Sequence, residues 1–424
     1  MTVTGSAVSR LPDAATLGAE AMARLDGLAA LTEMKGGLLR TFGSAMHEEA
    51  LRLIARWMAA AGMSVRRDAA CNLIGRYEGA SPGAPAVTMG SHQDTVRDAG
   101  RYDGMLGIVL PILAVEALHR AGRRLDHAVE VVVFGDEEGV RFQTTLLGSK
   151  AITGRLSDHD LAARDADGLT VADAMRAFGG DPDRLSSAAR RPSDLHCFVE
   201  THIEQGPVLE AKGLPVGVVT GIAGGTRLAV TVEGEAGHAG TVPMARRHDA
   251  LTAAAEMVLA IEHHARHQGH LVATVGRIEA APGAINVIPG RADFTVDLRA
   301  LSDGERRTNV EQVIERLQAI ADGRGVRVSI ERLYDSDGAA SAGWLMDRLG
   351  AAVEAEGVAQ YRMVSGAGHD AMAMAELTEI AMLFVRCKSG ISHNPAEAIT
   401  AEDAGTAGRV LIRFLADFEP PERD

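Results

Sequence analysis

Three histidines and two carboxylates recur at one kind of place in this chain of 424 residues. The apolar run ending in TMG leads to Ser91-His92-Gln93-Asp94, and the same stretch continues to Tyr102-Asp103-Gly104. VVVFG leads to Asp136-Glu137-Glu138-Gly139, CFVE to Thr201-His202-Ile203-Glu204-Gln205, and LFVRCKSGIS to His393-Asn394-Pro395. An isolated histidine is more often a hydrogen-bonded loop or core residue than a ligand. The shared position behind apolar strands sets His92, Asp103, Glu138, His202 and His393 apart, because ligands of open α/β sheets bind beyond the carboxyl ends of strands. Histidine and carboxylate without cysteine suit borderline or hard divalent ions such as Zn²⁺, Mn²⁺ or Co²⁺. Five such ligands exceed what one catalytic ion takes and match two ions bridged by one carboxylate. Paired ions ~3.5–4 Å apart hold a water between them, lower its pKa and polarise a substrate carbonyl. Glu137 and Glu138 are adjacent, so their side chains are expected to diverge. One can bind metal while the other faces the water as general base. Asp136 reads as an exposed acidic turn.

Two other groups invite the same reading and carry less. His263, His264, His267 and His270 lie along one helical run, where a solvated face is the expected outcome. Gly366-Ala367-Gly368 lacks the third glycine and the strand–loop–helix setting of a dinucleotide fingerprint.

The elements that must hold the ligands alternate between short apolar strands and helices. His47–Gly62 places Leu51, Ile54, Ala55 and Met58 on one face, and Gly107–Gly122 is a second, mostly apolar helix. APAVTMGSH, HAVEVVVFG, LHCFVE and EIAMLFVR read as buried strands, which predicts an α/β layer with a mostly parallel sheet and helices on both faces. Between about Gly221 and Asp335 the pattern changes. RLAVTVEGE and RADFTVDLRAL alternate apolar with polar, VRVSIERLYD closes as another strand, and two helical runs accompany them. This predicts an α+β insertion of antiparallel sheet and two helices at 221–335, within a domain made of 1–220 and 336–424.

Composition excludes other classes. Lys and Arg total 43 against 57 Asp and Glu, and a net charge of −14 repels nucleic acid and anionic lipid. Three separated cysteines argue against a disulfide scaffold or a thiolate zinc site and fit a reducing compartment. No run of ~18 apolar residues spans a membrane, and the first twenty residues have no signal-peptide pattern. The expectation is a cytoplasmic enzyme with neither nucleic-acid nor membrane partners.

GSHQDTV, YDGMLG, DEEGVRF, HIEQGPVLE, GHAGTVPM, NVIPGRADFTVDLR, GAGHDAMAM and GISHNPAE, in that order, resemble the M20 family of dinuclear metallohydrolases. More narrowly they resemble its amidase branch of allantoate amidohydrolases, N-carbamoyl-L-amino-acid hydrolases and ureidoglycolate hydrolases, with the longer strings most similar to the first. The resemblance implies that His92 and His202 bind one ion, Glu138 and His393 a second, and Asp103 bridges, giving two divalent ions per subunit (Zn or Mn, with Co an option). It implies that Glu137 is the general base, and that Gln205, Arg227, Asn286 and Arg299 hold substrate. His238 then reaches a neighbouring subunit's site, making the working unit a homodimer through an inserted lid or dimerisation domain. The expected reaction is hydrolysis of a linear ureido C–N bond, with allantoate giving ureidoglycine, ammonia and CO₂ in purine breakdown. An N-carbamoyl-L-amino-acid hydrolase (or a ureidoglycolate hydrolase) and a catalytically silent binding relative are the alternatives.

Overall fold

A nine-stranded sheet is the largest of the sheets in a computed structural model that describes residues 11–421. Its four central strands run in the order Ala128–Phe134, Ala86–His92, Leu195–Ile203 and Ile380–Val385, each parallel to its neighbour. Three of the four are buried at every position, as expected of parallel strands covered on both faces. Antiparallel strands flank this centre. Leu73–Tyr77 and Ser64–Arg67 extend it on one side, and Val216–Ile222 on the other. The sheet is therefore mixed, parallel at its middle and antiparallel toward its edges.

Helices follow from sequence in ordinary ways. Ser44 accepts from the His47 N–H, so the helix starts at Ala45, two residues before the sequence boundary, and buries Leu51, Ile54 and Met58. Leu106–Arg120 is apolar nearly all round and is buried from Leu106 through Leu118. It packs with Ala14–Ala29 and Ala401–Ala416. Those last two helices cross at two glycines. A Cβ on Gly18 would sit 1.9 Å from the Ala401 carbonyl oxygen, and one on Gly405 the same distance from that of Ala14. Fully burying a leucine such as Leu25, Leu110 or Leu411 contributes about 1.5–3 kcal/mol, and this core holds many.

The chain divides into two units, one running to Gly221 and resuming at Ala340, the other spanning Ile222–Ala339. The second unit runs past the sequence boundary at 335. Its last strand is Arg327–Ser336, and buried Arg306 pairs with Asp303, Asp335 and Asp337. Four antiparallel strands form its sheet, in the order Arg327–Ser336, Gly224–Glu233, Arg291–Ala300, Val272–Ala281. In Arg291–Ala300 every second residue from Ala292 is buried, and helices Ala250–Gln268 and Asp303–Arg324 pack on that face around Phe294, Met257 and Leu317. The strand Val272–Ala281 has no counterpart in the sequence reading. It is an edge strand with a register shift and little buried surface, so its alternation is faint. Among the described residues no helix is long and apolar enough to cross a membrane.

Candidate metal centre

The parallel strands deliver their ligands at one end, and two of these histidines sit on the strands themselves rather than in loops. His92 is the last residue of its strand, paired with Phe134, and His202 is the penultimate residue of its own, paired with Phe384. Ladder pairing thus continues through both, and each ring is held as firmly as the sheet.

Hydrogen bonds fix how the rings face. His92 Nδ1 lies 3.0 Å from the Asp94 carbonyl oxygen, and His202 Nδ1 lies 3.0 Å from that of Ile203. A carbonyl only accepts, so both Nδ1 atoms carry hydrogen, and Nε2 is the nitrogen left to meet a cation, whether a proton or a metal ion. Both Nε2 atoms face carboxylates. His202 Nε2 is 3.1 Å from Asp103 Oδ1, while His92 Nε2 is 3.7 Å from the same oxygen and 3.9 Å from Glu137 Oε2. On the other side of Asp103, Oδ2 lies 3.2 Å from His393 Nε2, which is 3.5 Å from Glu138 Oε1. An imidazole nitrogen this close to a carboxylate oxygen needs a cation between them, a proton or a metal ion. The donors group accordingly into His92–Asp103–His202, Asp103–Glu138–His393 and His92–Glu137–Glu138, each set within 4.8 Å. The donor chemistry fits a pair of divalent ions.

Electrostatics tell the same story. Burial drives the Glu137 carboxyl well above the usual range, and it raises Glu138 to about 7, with Asp103 adding repulsion. Burial also opposes charge on His92, yet Glu137, Asp94 and Asp103 outweigh it and hold the ring well above its ordinary value. The hydrogen bond to Asp103 is the largest influence on His393, which rises to about 9. The cluster demands positive charge, which divalent ions would supply.

Glu137 and Glu138 do not diverge. Both offer an oxygen to the group around His92, because the turn leaving Ala128–Phe134 has Asp136 at φ 55° and both following N–H groups bind one side chain. That side chain is Asp94, whose Oδ1 and Oδ2 accept from Glu137 and Glu138 at 3.2 and 3.1 Å. Asp136 itself is buried rather than an exposed turn. Sequence reasoning passed over Asp94, as it did Ser392, Glu397 and the buried Glu200, which accepts from the Ser91 hydroxyl at 2.7 Å. The signal was available for three of them, since Asp94, Ser392 and Glu397 lie inside the strings GSHQDTV and GISHNPAE. Gln205 joins the cluster too, its Nε2 donating to Asp103 Oδ2 and Ser392 Oγ, both at 3.0 Å.

The remaining expected residues belong to the second unit. Arg227 and Arg299 come together on the two oxygens of Asp297, with Nε–O distances of 3.1 and 2.8 Å, and the Arg227 guanidinium lies over the Tyr334 ring. His238 and Asn286 are neighbours as well. The two-residue strand Gly237–His238 pairs with Val287–Ile288, and the Ala239 N–H donates to the Asn286 carbonyl at 2.9 Å. The helical histidines separate. His263 and His267 meet at a tilt, with ring centroids 4.0 Å apart, on the exposed face. His264, expected on that face, is buried against Asn309 at 2.8 Å, because its side of the helix meets the neighbouring helix Asp303–Arg324. His270 lies beyond the helix end and is 3.5 Å from Glu305.

Comparison with known proteins agrees with this geometry. Residues 88–417 match Peptidase family M20/M25/M40. An allantoate deiminase of Arabidopsis thaliana is 43% identical over 93% of this chain and 81% of its own. An N-carbamoyl-L-amino acid amidohydrolase of Geobacillus stearothermophilus is also 43% identical, over 90% of this chain and 93% of its own. A crystal structure of an amidase of the hydantoinase/carbamoylase family from Burkholderia multivorans superposes with a TM-score of 0.90 at 31% identity, covering 96% of this chain and 98% of that one. A match that begins in the His92 strand and runs into the last helix takes in every strand of the parallel centre but part of one, and places the chain in the M20/M25/M40 peptidase family, as a hydrolase.

Proposed function

We propose that the protein hydrolyses a linear ureido C–N bond in a small carboxylate, with allantoate as substrate and ureidoglycine, ammonia and CO₂ as products. One observation carries the reading: a single buried carboxylate, Asp103, turns one oxygen to His202 and the other to His393. That is the arrangement a bridging ligand needs. In this reading His92 and His202 hold one ion, Glu138 and His393 the other, with Zn²⁺ or Mn²⁺ the fitting metals and Co²⁺ an option. When bound, the ions supply a water of lowered pKa and polarise the ureido carbonyl.

The protein's own groups do the rest. Glu137 takes the proton of the attacking water on its carboxylate and returns it to the leaving nitrogen, the two tasks of a general base and acid. Arg299 and Arg227, aligned by Asp297, offer guanidinium forks to the substrate carboxylate. Asn286 and the acceptor half of the Gln205 amide address the ureido N–H and C=O groups. His238 Nδ1 accepts from the Gly240 N–H at 3.1 Å, which leaves the hydrogen on Nε2 and makes the ring a donor to developing oxyanion charge. In this reading His238 serves the site of a second subunit, the enzyme is a homodimer, and it works in the cytoplasm in purine breakdown.

The N-carbamoyl-L-amino-acid reading stands beside this one because a relative of that name is equally similar. Ammonia release from allantoate, measured against several N-carbamoyl-L-amino acids with Mn²⁺- and Zn²⁺-loaded protein, separates them. The highest kcat/KM on allantoate is expected. A carbamoyl amino acid turned over faster would transfer the assignment, and no turnover of either class would leave a binding protein.

A further inference from the structure

Asp103 lies on the stretch that follows the His92 strand, whereas His393 arrives almost three hundred residues later. Nothing in the sheet joins these two loops directly. One side chain does. Glu397 is 4% exposed, and its Oε1 accepts from the backbone N–H groups of Tyr102 at 2.8 Å and Asp103 at 3.2 Å. Its Oε2 lies 3.2 Å from the Ser392 hydroxyl, which is also 2.9 Å from Asp103 Oδ2 and has one proton to share between them. The carboxylate thus grips the Asp103 backbone directly and its side chain through Ser392, the residue preceding His393.

A second observation shows that the space is built for this group. A Cβ on Gly100 would fall 2.1 Å from Glu397 Cδ, 2.2 Å from its Oε1 and 2.4 Å from its Cβ. Gly100 is not in the left-handed region, so its backbone does not call for glycine. What calls for glycine is the glutamate side chain lying against it.

We propose that Glu397 is a positioning residue that fastens the Asp103 loop to the His393 loop, and so sets the affinity for the ion those two ligands share. The inference rests on the proposed ligand roles of Asp103 and His393. It also specifies how Glu397 acts: by accepting hydrogen bonds, not by contributing negative charge. Glutamine keeps an oxygen for the two N–H groups and places an amide beside Ser392, whose hydroxyl can then accept from it and still donate to Asp103.

Isothermal titration with MnCl₂ on metal-stripped full-length protein tests this, with bound Mn²⁺ per chain counted after dialysis and folding checked by circular dichroism. Glu397→Ala is expected to weaken one of the two Mn²⁺ equivalents by about 10–100-fold, the usual effect of removing a group that orients a ligand. Gly100→Ala should do the same, since its methyl displaces the carboxylate, and Glu397→Gln should bind like wild type. Wild-type affinity in Glu397→Ala overturns the proposal. So does Glu397→Gln binding as weakly as the alanine variant, which would assign the effect to charge. If Glu397→Ala does not fold, Glu397→Gln and Gly100→Ala decide by the same criteria. Asp103→Ala, titrated alongside, keeps two failures apart. Wild-type binding there would reject the ligand assignment itself, whereas loss there with none in Glu397→Ala and Gly100→Ala would reject only the role of Glu397.

Discussion

Two groups of histidines in this molecule differ in everything except residue type. His92, His202 and His393 come from strand ends far apart in sequence, and Asp103 lies within 4 Å of all three Nε2 atoms. His263 and His267 share a helical face by spacing alone, and their rings meet each other rather than any carboxylate. Asp94 marks the difference: its carbonyl takes the Nδ1–H of His92 and its carboxylate holds the Glu137–Glu138 turn. Spacing brings imidazoles together. A ligand set additionally needs acceptors that fix the tautomer and anions that make a cation welcome.

Substitutions can break or sharpen this contrast. The largest effect is expected from Asp103→Ala, which removes the carboxylate that lies within 4 Å of all three histidine Nε2 atoms. Activity should disappear and metal content, measured by elemental analysis, should fall; full metal occupancy would refute the bridging role. Next comes Glu137→Gln, which keeps shape but cannot take a proton. Turnover should drop ~10²–10⁴-fold with metal retained, and a near-normal rate would show the water is activated without it.

The second unit has its own expected contributors. His238→Ala should cost ~10²–10³-fold in kcat, as for loss of one oxyanion donor. Mixing it with Glu137→Gln subunits should restore activity if His238 serves its neighbour, because one cleft of each mixed dimer holds both wild-type residues. Failure to recover under demonstrated subunit exchange would exclude the shared site. Arg299→Lys keeps charge but loses the fork now aligned on Asp297, so KM should rise while kcat changes less. The smallest effect belongs to His263→Ala with His267→Ala. Both side chains are exposed, and metal content and turnover should match wild type; a loss of bound metal would make the helical pair a site after all.

The parallel strands were legible because each is a continuous apolar run that ends abruptly in polar residues, and the clustered histidines and carboxylates follow those ends. The strands Leu73–Tyr77 and Val272–Ala281 were not. The first is five residues long, and the second exposes most of its side chains, so neither shows a clear period. Asp94 and Glu397 stand inside the family-like strings, but what they do there was not readable. Each accepts from backbone N–H groups, and such an acceptor leaves no spacing of its own in the sequence. The buried orientation of His264 was hidden for want of one fact, which side of its helix meets the helix that carries Asn309.

The insertion of the second unit also has a consequence for the order in which the protein is made. His92, Asp103 and His202 have all been synthesised before residue 222, whereas His393 and Glu397 follow residue 339. The strand Ile380–Val385, which joins Leu195–Ile203 to Val216–Ile222, is among the last to emerge. Until then a growing chain holds two apolar strands without their shared partner, while the second unit, contiguous in sequence, has every strand it needs. Unpaired strand edges are where nascent chains associate wrongly. The cell must therefore shelter a half-built sheet for the time it takes to translate about 160 further residues, and the histidine–carboxylate cluster becomes whole only at the end of synthesis.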